Sequence, residues 1–329
     1  MRALVMTAPS EGPDRTEVRE VEAPRPGPGE VTIDVTHAGI NFIDVMARRG
    51  DAGYVPAWPY TPGKEVAGTV REVGDGVPDL VVGRRVAAFA REAGGLAEVV
   101  RAPAALTVPI PAAVPSATAA ATPLMLATAL LLLTDAARFS PGETVLVHSA
   151  SGGVGGAVAR LVPALGGGRL IGTVGHADKI PAARQSGYDV VVSRDDDLAE
   201  AIRADGGQVD VVLDPLGTAM LETDLTVTAP GGRIVLFGNA GGGRSAGLPE
   251  PRRLIGGNVA VAGFSISSLA VTAPERVARA LRRLLDLIAD GRLTFPVTEV
   301  GSLAEVPEIH QLLAERRGDG KYVVRVAES

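Results

Sequence analysis

The sequence predicts an α/β protein in which a doubly wound parallel sheet is joined to a second, β-rich unit. Three observations carry that reading. Continuous apolar runs TVLVHSA (144–150), RLIGTVG (169–175), DVVVS (189–193), VDVVLD (209–214) and GRIVLFG (232–238) alternate with stretches of helical pattern. A glycine-rich turn, SGGVGG, follows the first run directly. Residues 1–110 instead carry short, alternating strands separated by Gly and Pro turns.

Each element follows from its pattern. The runs lack alternation because helices cover both faces of a parallel sheet, so every strand position is buried. Helices are expected over 153–165, 179–186, 198–204 and 218–228, which makes the segment a doubly wound domain. VAVAGFS (259–265) reads as its last strand. A helix over 274–289 comes next, then a strand-rich tail ending KYVVRVAES. In the β-rich part, VTIDV (31–35) and VAGTVREV (66–73) alternate with a period near two. Turns at 24–30, 73–79 and 82–85 separate the short strands.

No charge lies between Arg101 and Asp135, and 124–133 is almost wholly apolar. Five prolines from Pro103 to Pro123 break the stretch, so a buried helix starting near Pro123 is expected, with no membrane span.

Bulk properties narrow the partners. The chain has 329 residues, 46% of them hydrophobic, with a net charge of −6. That balance gives no electrostatic footprint for nucleic acid or for an anionic membrane. Cysteine is absent, which excludes disulfides, a cysteine nucleophile and thiolate zinc ligands. The opening MRALVMTAPSEGPDR lacks the apolar length of a signal peptide, and a cytoplasmic location is expected.

The turn carries the chemistry. Ala150-x-Gly152-x-x-Gly155 is a variant of the G-x-G-x-x-G fingerprint, placed between a strand and a helix. Small residues let the backbone approach a pyrophosphate, and the free N–H groups at the helix start attract its charge. Gly153 and Val154 share that turn. The next strand ends Thr173-Val174-Gly175-His176 with no carboxylate at its tip, and Lys179 follows one turn later. A bare tip with a nearby cation suits a 2′-phosphate, hence NADPH in preference to NADH.

On these residues and on several further motifs, the chain resembles the quinone oxidoreductase branch of the medium-chain dehydrogenase/reductase superfamily. The motifs are AGINFID (38–44), PYTPGKEVAG (59–68), HSASGGVG (148–155), GTVGHADK (172–179), VDVVLDPLG (209–217), APGGRIVLFGNAGG (229–242) and GKYVVRV (320–326). The resemblance implies a GroES-like catalytic domain from residues 1–123 and 266–329. A Rossmann NADP(H)-binding domain would occupy 124–265. It implies a homodimer through the last strand of the nucleotide domain, around 258–264, and an active site in the cleft between domains.

By the same resemblance Asn41 lies beside the nicotinamide and its ribose. Thr128, Ala150, Gly152, Gly153, Val154 and Gly155 line the dinucleotide, with Gly175, His176 and Lys179 at its 2′-phosphate end. Phe237, Gly238 and Asn239 hold the carboxamide end, and Phe264 and Lys321 close the cleft. Zinc dehydrogenases of this fold place their first two catalytic ligands where this chain has Asn41 and Lys64, so no metal is expected.

Departures from the pattern bear on the acceptor. Met46 stands where many quinone reductases have a tyrosine, and Leu130-Leu131 replaces another. Ser193, followed by Arg194, replaces a third near the adenosine phosphate. Lys64 is then the cationic candidate for proton donation, or a partner of Asp44 or Glu65. Three functions are open: an NADPH:quinone reductase, a reductase of activated C=C bonds (enones or enoyl thioesters), and a non-catalytic NADPH-binding protein.

Overall fold

A computed structural model describes residues 1–204, 207–240 and 247–326 of the chain. Gly241 and Gly242 of the 229–242 motif, and the terminal Ala327 to Ser329, lie outside the described residues. The chain forms two compact units, Met1–Ala127 with Ile266–Ser329, and Thr128–Ser265.

The first part of the chain supplies strands β1 (Arg2–Met6), β2 (Thr16–Glu20), β3 (Glu30–Ile40), β4 (Glu65–Val73), β5 (Arg85–Phe89), β6 (Val99–Pro103) and β7 (Thr107–Pro109). The middle supplies β8 (Thr144–His148), β9 (Arg169–Val174), β10 (Val190–Ser193), β11 (Val209–Asp214), β12 (Thr228–Leu236) and β13 (Ala260–Gly263). The last part adds β14 (Thr298–Val300) and β15 (Tyr322–Arg325).

In the first unit a sheet runs β14-β15-β3-β4-β5-β7, with β6 also paired to β3. Its inner positions, among them Ile33, Val35, Val66, Val70, Val86 and Val324, make one apolar core. Two registers position the charged residues of this unit. Antiparallel pairing sets Ala38 opposite Val66, which brings Glu65 to Gly39. It also sets Tyr322 opposite Ile40, which delivers Lys321 to Asn41.

The second unit is a parallel sheet in the order β10-β9-β8-β11-β12-β13. Counted within the unit this is 3-2-1-4-5-6, the doubly wound order. Leu146, Ile171, Val212 and Ile234 are buried on it, as continuous apolar strands require.

Several expected boundaries move. The helical run near Pro123 begins earlier, at Ser116, and widens to a π-type turn over Thr122–Leu126. Pro123 has no N–H to donate, and the amides of Leu124 and Met125 are taken by the side chain of Glu65. Strand β12 starts at Thr228 and not at 232, because the preceding helix ends at Val227. The tail is not purely strand: Val306–Ala314 is a helix between β14 and β15. Among the described residues no helix is long and apolar enough to cross a membrane.

Candidate functional site

In the first unit the site is built around a buried carboxylate. Glu65 is wholly buried at the start of β4. Its Oε2 accepts from the amides of Leu124 (2.8 Å) and Met125 (3.3 Å), at the proline-interrupted turn. Its Oε1 accepts from Asn41 Nδ2 at 2.9 Å and from the ammonium of Lys321. Lys321 is 3% exposed and directs its remaining donors to the Ile40 carbonyl (2.9 Å) and Asn41 Oδ1 (2.7 Å). Asn41 Nδ2 also donates to the Gly39 carbonyl at 3.3 Å. Both ends of the Asn41 amide are therefore engaged by its own domain, and its orientation is set.

Asn41 also begins the helix Phe42–Arg49, where Asp44 returns a carboxylate oxygen to the Asn41 N–H at 2.9 Å. That is the acidic half of a capping box. The other Asp44 oxygen accepts from the Gly63 amide at 3.1 Å. Burial pushes the Asp44 pKa up to about 6, although those two amides and the nearby Lys321 and Lys64 oppose the rise.

Lys64 goes elsewhere. Its ammonium donates to the Arg91 carbonyl at 2.7 Å, so a bond from Lys64 to Glu65 is not formed. Neighbours in an extended chain point to opposite faces, and Glu65 takes the inner one. Burial lowers the Lys64 pKa below the usual lysine value, with Asp44 partly offsetting it.

In the second unit the fingerprint turn has the expected form. The helix Gly153–Ala164 begins with Gly152 as its N-cap and carries no side-chain cap, so its first amides are available. A Cβ at Gly155 would stand 2.6 Å from the carbonyl oxygens of Ser149 and Ala150. The close approach of helix to strand thus demands glycine there. Ser149 itself is held at φ +60, a conformation uncommon for a serine.

Around this turn Arg194 donates to Ser149 Oγ at 3.4 Å, and its guanidinium lies against Gly175. Gly175, Ser193 and Arg194 therefore meet at the ends of β8, β9 and β10. His176 caps a short helical turn that ends at Lys179. On the other side of the sheet, the Phe237 amide donates to the Asp214 carbonyl and the Ala240 amide to that of Pro215, both at 2.9 Å. Gly238 and Asn239 are held between these bonds, and the Phe264 amide donates to the Leu236 carbonyl at 2.9 Å. Thr128 opens this unit in the chain.

Sequence reasoning missed two groups. Glu65 entered only as a neighbour of Lys64, although a carboxylate heading the apolar run EVAGTV was a visible signal. The second is a buried triad beneath the turn: His148 lies 2.8 Å from both Thr173 Oγ1 and Asp224 Oδ1. Thr173 and Asp224 carried no signal of their own. Close by, burial and the Asp224 carboxylate push the Asp214 pKa up to about 6.

A β-rich catalytic unit interrupted by a doubly wound unit with an uncapped glycine turn defines a dinucleotide-dependent oxidoreductase fold. Family models agree: residues 27–112 match the alcohol dehydrogenase GroES-like domain, and 153–286 match the zinc-binding dehydrogenase model. A quinone oxidoreductase of Pseudomonas aeruginosa is 33% identical, with 95% of this chain and 96% of that one covered. The human synaptic vesicle membrane protein VAT-1 homolog is 32% identical, over 98% of this chain and 86% of the relative. Among solved structures, Escherichia coli quinone oxidoreductase complexed with NADPH has a TM-score of 0.89 at 30% identity, covering 99% and 100% of the two chains. The chain belongs to the medium-chain dehydrogenase/reductase superfamily, in its quinone oxidoreductase branch.

Proposed function

We propose that the chain is an NADPH-dependent, zinc-independent reductase whose acceptor is a quinone. The observation that carries the acceptor is the saturated network of Glu65, Lys321 and Asn41. Hydride transfer leaves negative charge on the acceptor oxygen, and a basic enolate demands a strong acid or preorganised donors. Lys321 has no donor left to give, and Asp44 holds two amides. A quinone asks least of such a site, because its hydroquinone anion is weakly basic.

When bound, NADPH supplies the hydride. The chain's part is to hold it: the free amides of Gly153, Val154 and Gly155 suit the pyrophosphate, with Gly152 as the N-cap and Ala150 packed behind them. Gly175, His176, Lys179, Ser193 and Arg194 form the adenosine end, with two cations for a 2′-phosphate. Asn41, Thr128, Phe237, Gly238, Asn239 and Phe264 complete the cofactor residues of the proposal, and Lys321, whose donors are all engaged, acts by fixing Asn41. Zinc does not fit. The two ligand positions hold an amide and a lysine that are otherwise bonded, and there is no cysteine in the chain.

One observation favours a second reading, reduction of an activated C=C bond. Lys64 is desolvated, its pKa is lowered, and only one acceptor is bonded to its ammonium, so it has the properties of a proton donor. The acceptors separate in parallel assays of NADPH consumption with 1,4-benzoquinone, an alkyl enone and crotonyl-CoA. Quinone turnover at least tenfold above the others is expected. Tight NADPH binding with no turnover of any acceptor would overturn both readings in favour of a binding protein. A homodimer is part of the proposal. Among the described residues β13 ends its sheet with one side unpaired, and Leu248 and Ile255 are exposed in the same unit.

A further inference from the structure

The helix Pro274–Ala289 buries Val277, Leu281, Leu284 and Leu285 and packs on the 104–109 segment and the Thr122–Leu126 turn. Its outer face is unusual. Arg279, Arg282 and Arg283 lie within about one turn and are exposed, and Arg292 joins them just beyond the helix end in a groove of about 420 Å³. Like charges three and four residues apart on a helix repel. Some exposed arginines elsewhere are ion-paired, such as Arg19 with Glu17, Arg71 with Asp34 and Arg325 with Glu299, and others such as Arg84 and Arg252 stand singly; what sets this face apart is that four are gathered in one groove. Among the described residues none of these four arginines makes a hydrogen bond or an ion pair. Asp286 and Asp290 line the same groove without bonding them.

Four guanidinium groups against two carboxylates leave this groove with an excess of positive charge, which an external anion relieves. We propose that this groove docks an acidic face of a partner protein, one presenting carboxylates at helical spacing. Guanidinium forks match carboxylates bidentately. The two aspartates decide between kinds of anion. They oppose a compact polyphosphate, whose charge cannot avoid them, but an extended protein face can place basic or neutral residues against them. The whole chain carries a charge of −6, so a local positive groove orients an acidic partner that the rest of the surface repels.

The probe is a fluorescein-labelled, alanine-based helical peptide with glutamates three and four residues apart, followed by anisotropy against the full-length protein. Saturable binding is expected, weakening at least fivefold when salt rises from about 50 mM to about 0.5 M. The triple variant Arg279→Glu, Arg282→Glu, Arg283→Glu should lose at least tenfold in affinity. The same three changed to Gln should lose less, and this set guards against a folding effect of the reversed charges. A charge-matched control, Arg84→Glu, Arg203→Glu, Arg252→Glu, should bind within about twofold of the parent. The proposal fails if the parent shows no saturable binding, or if the control loses as much as the groove variants. It also fails if inorganic pyrophosphate displaces the peptide at a lower concentration than the unlabelled peptide does.

Discussion

The carboxylate of Glu65 occupies the space that a side chain at residue 39 would need. A Cβ built on Gly39 meets Glu65 Oε1, Cγ and Cδ inside van der Waals contact. Glycine at 39 is therefore a condition for a buried acid at 65, and the acid in turn requires the cation at 321. An isolated charge in such surroundings would be costly, whereas a pair with its hydrogen bonds satisfied is tolerated.

Removing one partner should expose that dependence. Lys321→Met is expected to cost about 3–5 kcal/mol, read by urea unfolding. Trp58 is the only tryptophan of the chain and lies in the catalytic unit, so its fluorescence reports that unit. Adding Glu65→Gln to Lys321→Met should recover much of the loss, since the charge left behind is removed while an acceptor remains for the Leu124 and Met125 amides. A single variant as stable as the parent would show that the pair is not structural.

Cofactor choice is predicted to rest on Arg194 and Lys179. Changing either to Ala should weaken NADPH binding about tenfold or more and leave NADH within about threefold, as expected for loss of one charge-assisted contact to a phosphate. Titration of nicotinamide fluorescence measures both constants without turnover. Equal losses for the two cofactors would instead mean that these cations support the fold of the turn.

Lys64 separates the two acceptor readings. Lys64→Met should slow reduction of an alkyl enone at least tenfold and that of 1,4-benzoquinone by no more than about threefold, because general acid catalysis helps only the more basic anion. The enone rate of the parent should also fall as pH rises through the lowered lysine pKa. If Lys64→Met slows both acceptors equally, the loss belongs to the loop held through Arg91.

His310 supplies a pH signature. It is fully buried, and burial with the Arg48 charge holds its pKa down to about 3, from an ordinary value of 6.5. The folded state keeps the ring neutral while the unfolded chain protonates it. This contribution is complete above about 6.5 and is lost progressively as pH falls toward 3, at ~1.4 kcal/mol per pH unit. Followed by Trp58 fluorescence, the stability of the parent relative to His310→Leu should be flat above that window and fall within it. A difference that stays constant down to pH of about 4 would show that the ring is not held neutral. Asp44, raised to about 6, acts in the opposite sense: its contribution is present below the unfolded carboxylate value and declines as pH rises toward 6. Taking differences between variants cancels it.

The nucleotide half was largely legible because its information is local. Apolar runs name buried strands, and the glycine spacing names the turn between β8 and its helix. The catalytic half was legible in its motifs but not in its contacts. Lys321 and Glu65 are separated by 256 residues, and only the pairing of β15 with β3 and of β3 with β4 joins them. The helix Val306–Ala314 was hidden for a different reason. Its apolar positions Val306, Ile309, Leu312 and Leu313 have helical spacing, but a short helix inside a tail of strands gives a weak periodic signal. Lys64 was legible as a residue and misleading as a neighbour, since its side chain faces away from Glu65.

The two compact units also set an order of events during synthesis. A ribosome delivers Glu65 early, then the whole of the 128–265 unit, and only afterwards Lys321, just before the last strand. Until then the acid cannot close its network, and the turn at Leu124 and Met125 has an anion but no counter-ion. The nucleotide unit, continuous in sequence, can complete its sheet while the catalytic unit is still waiting. The glycine turn of the 128–265 unit can therefore form before the Glu65–Lys321 network closes, and protection of the former from a protease should precede protection of the latter.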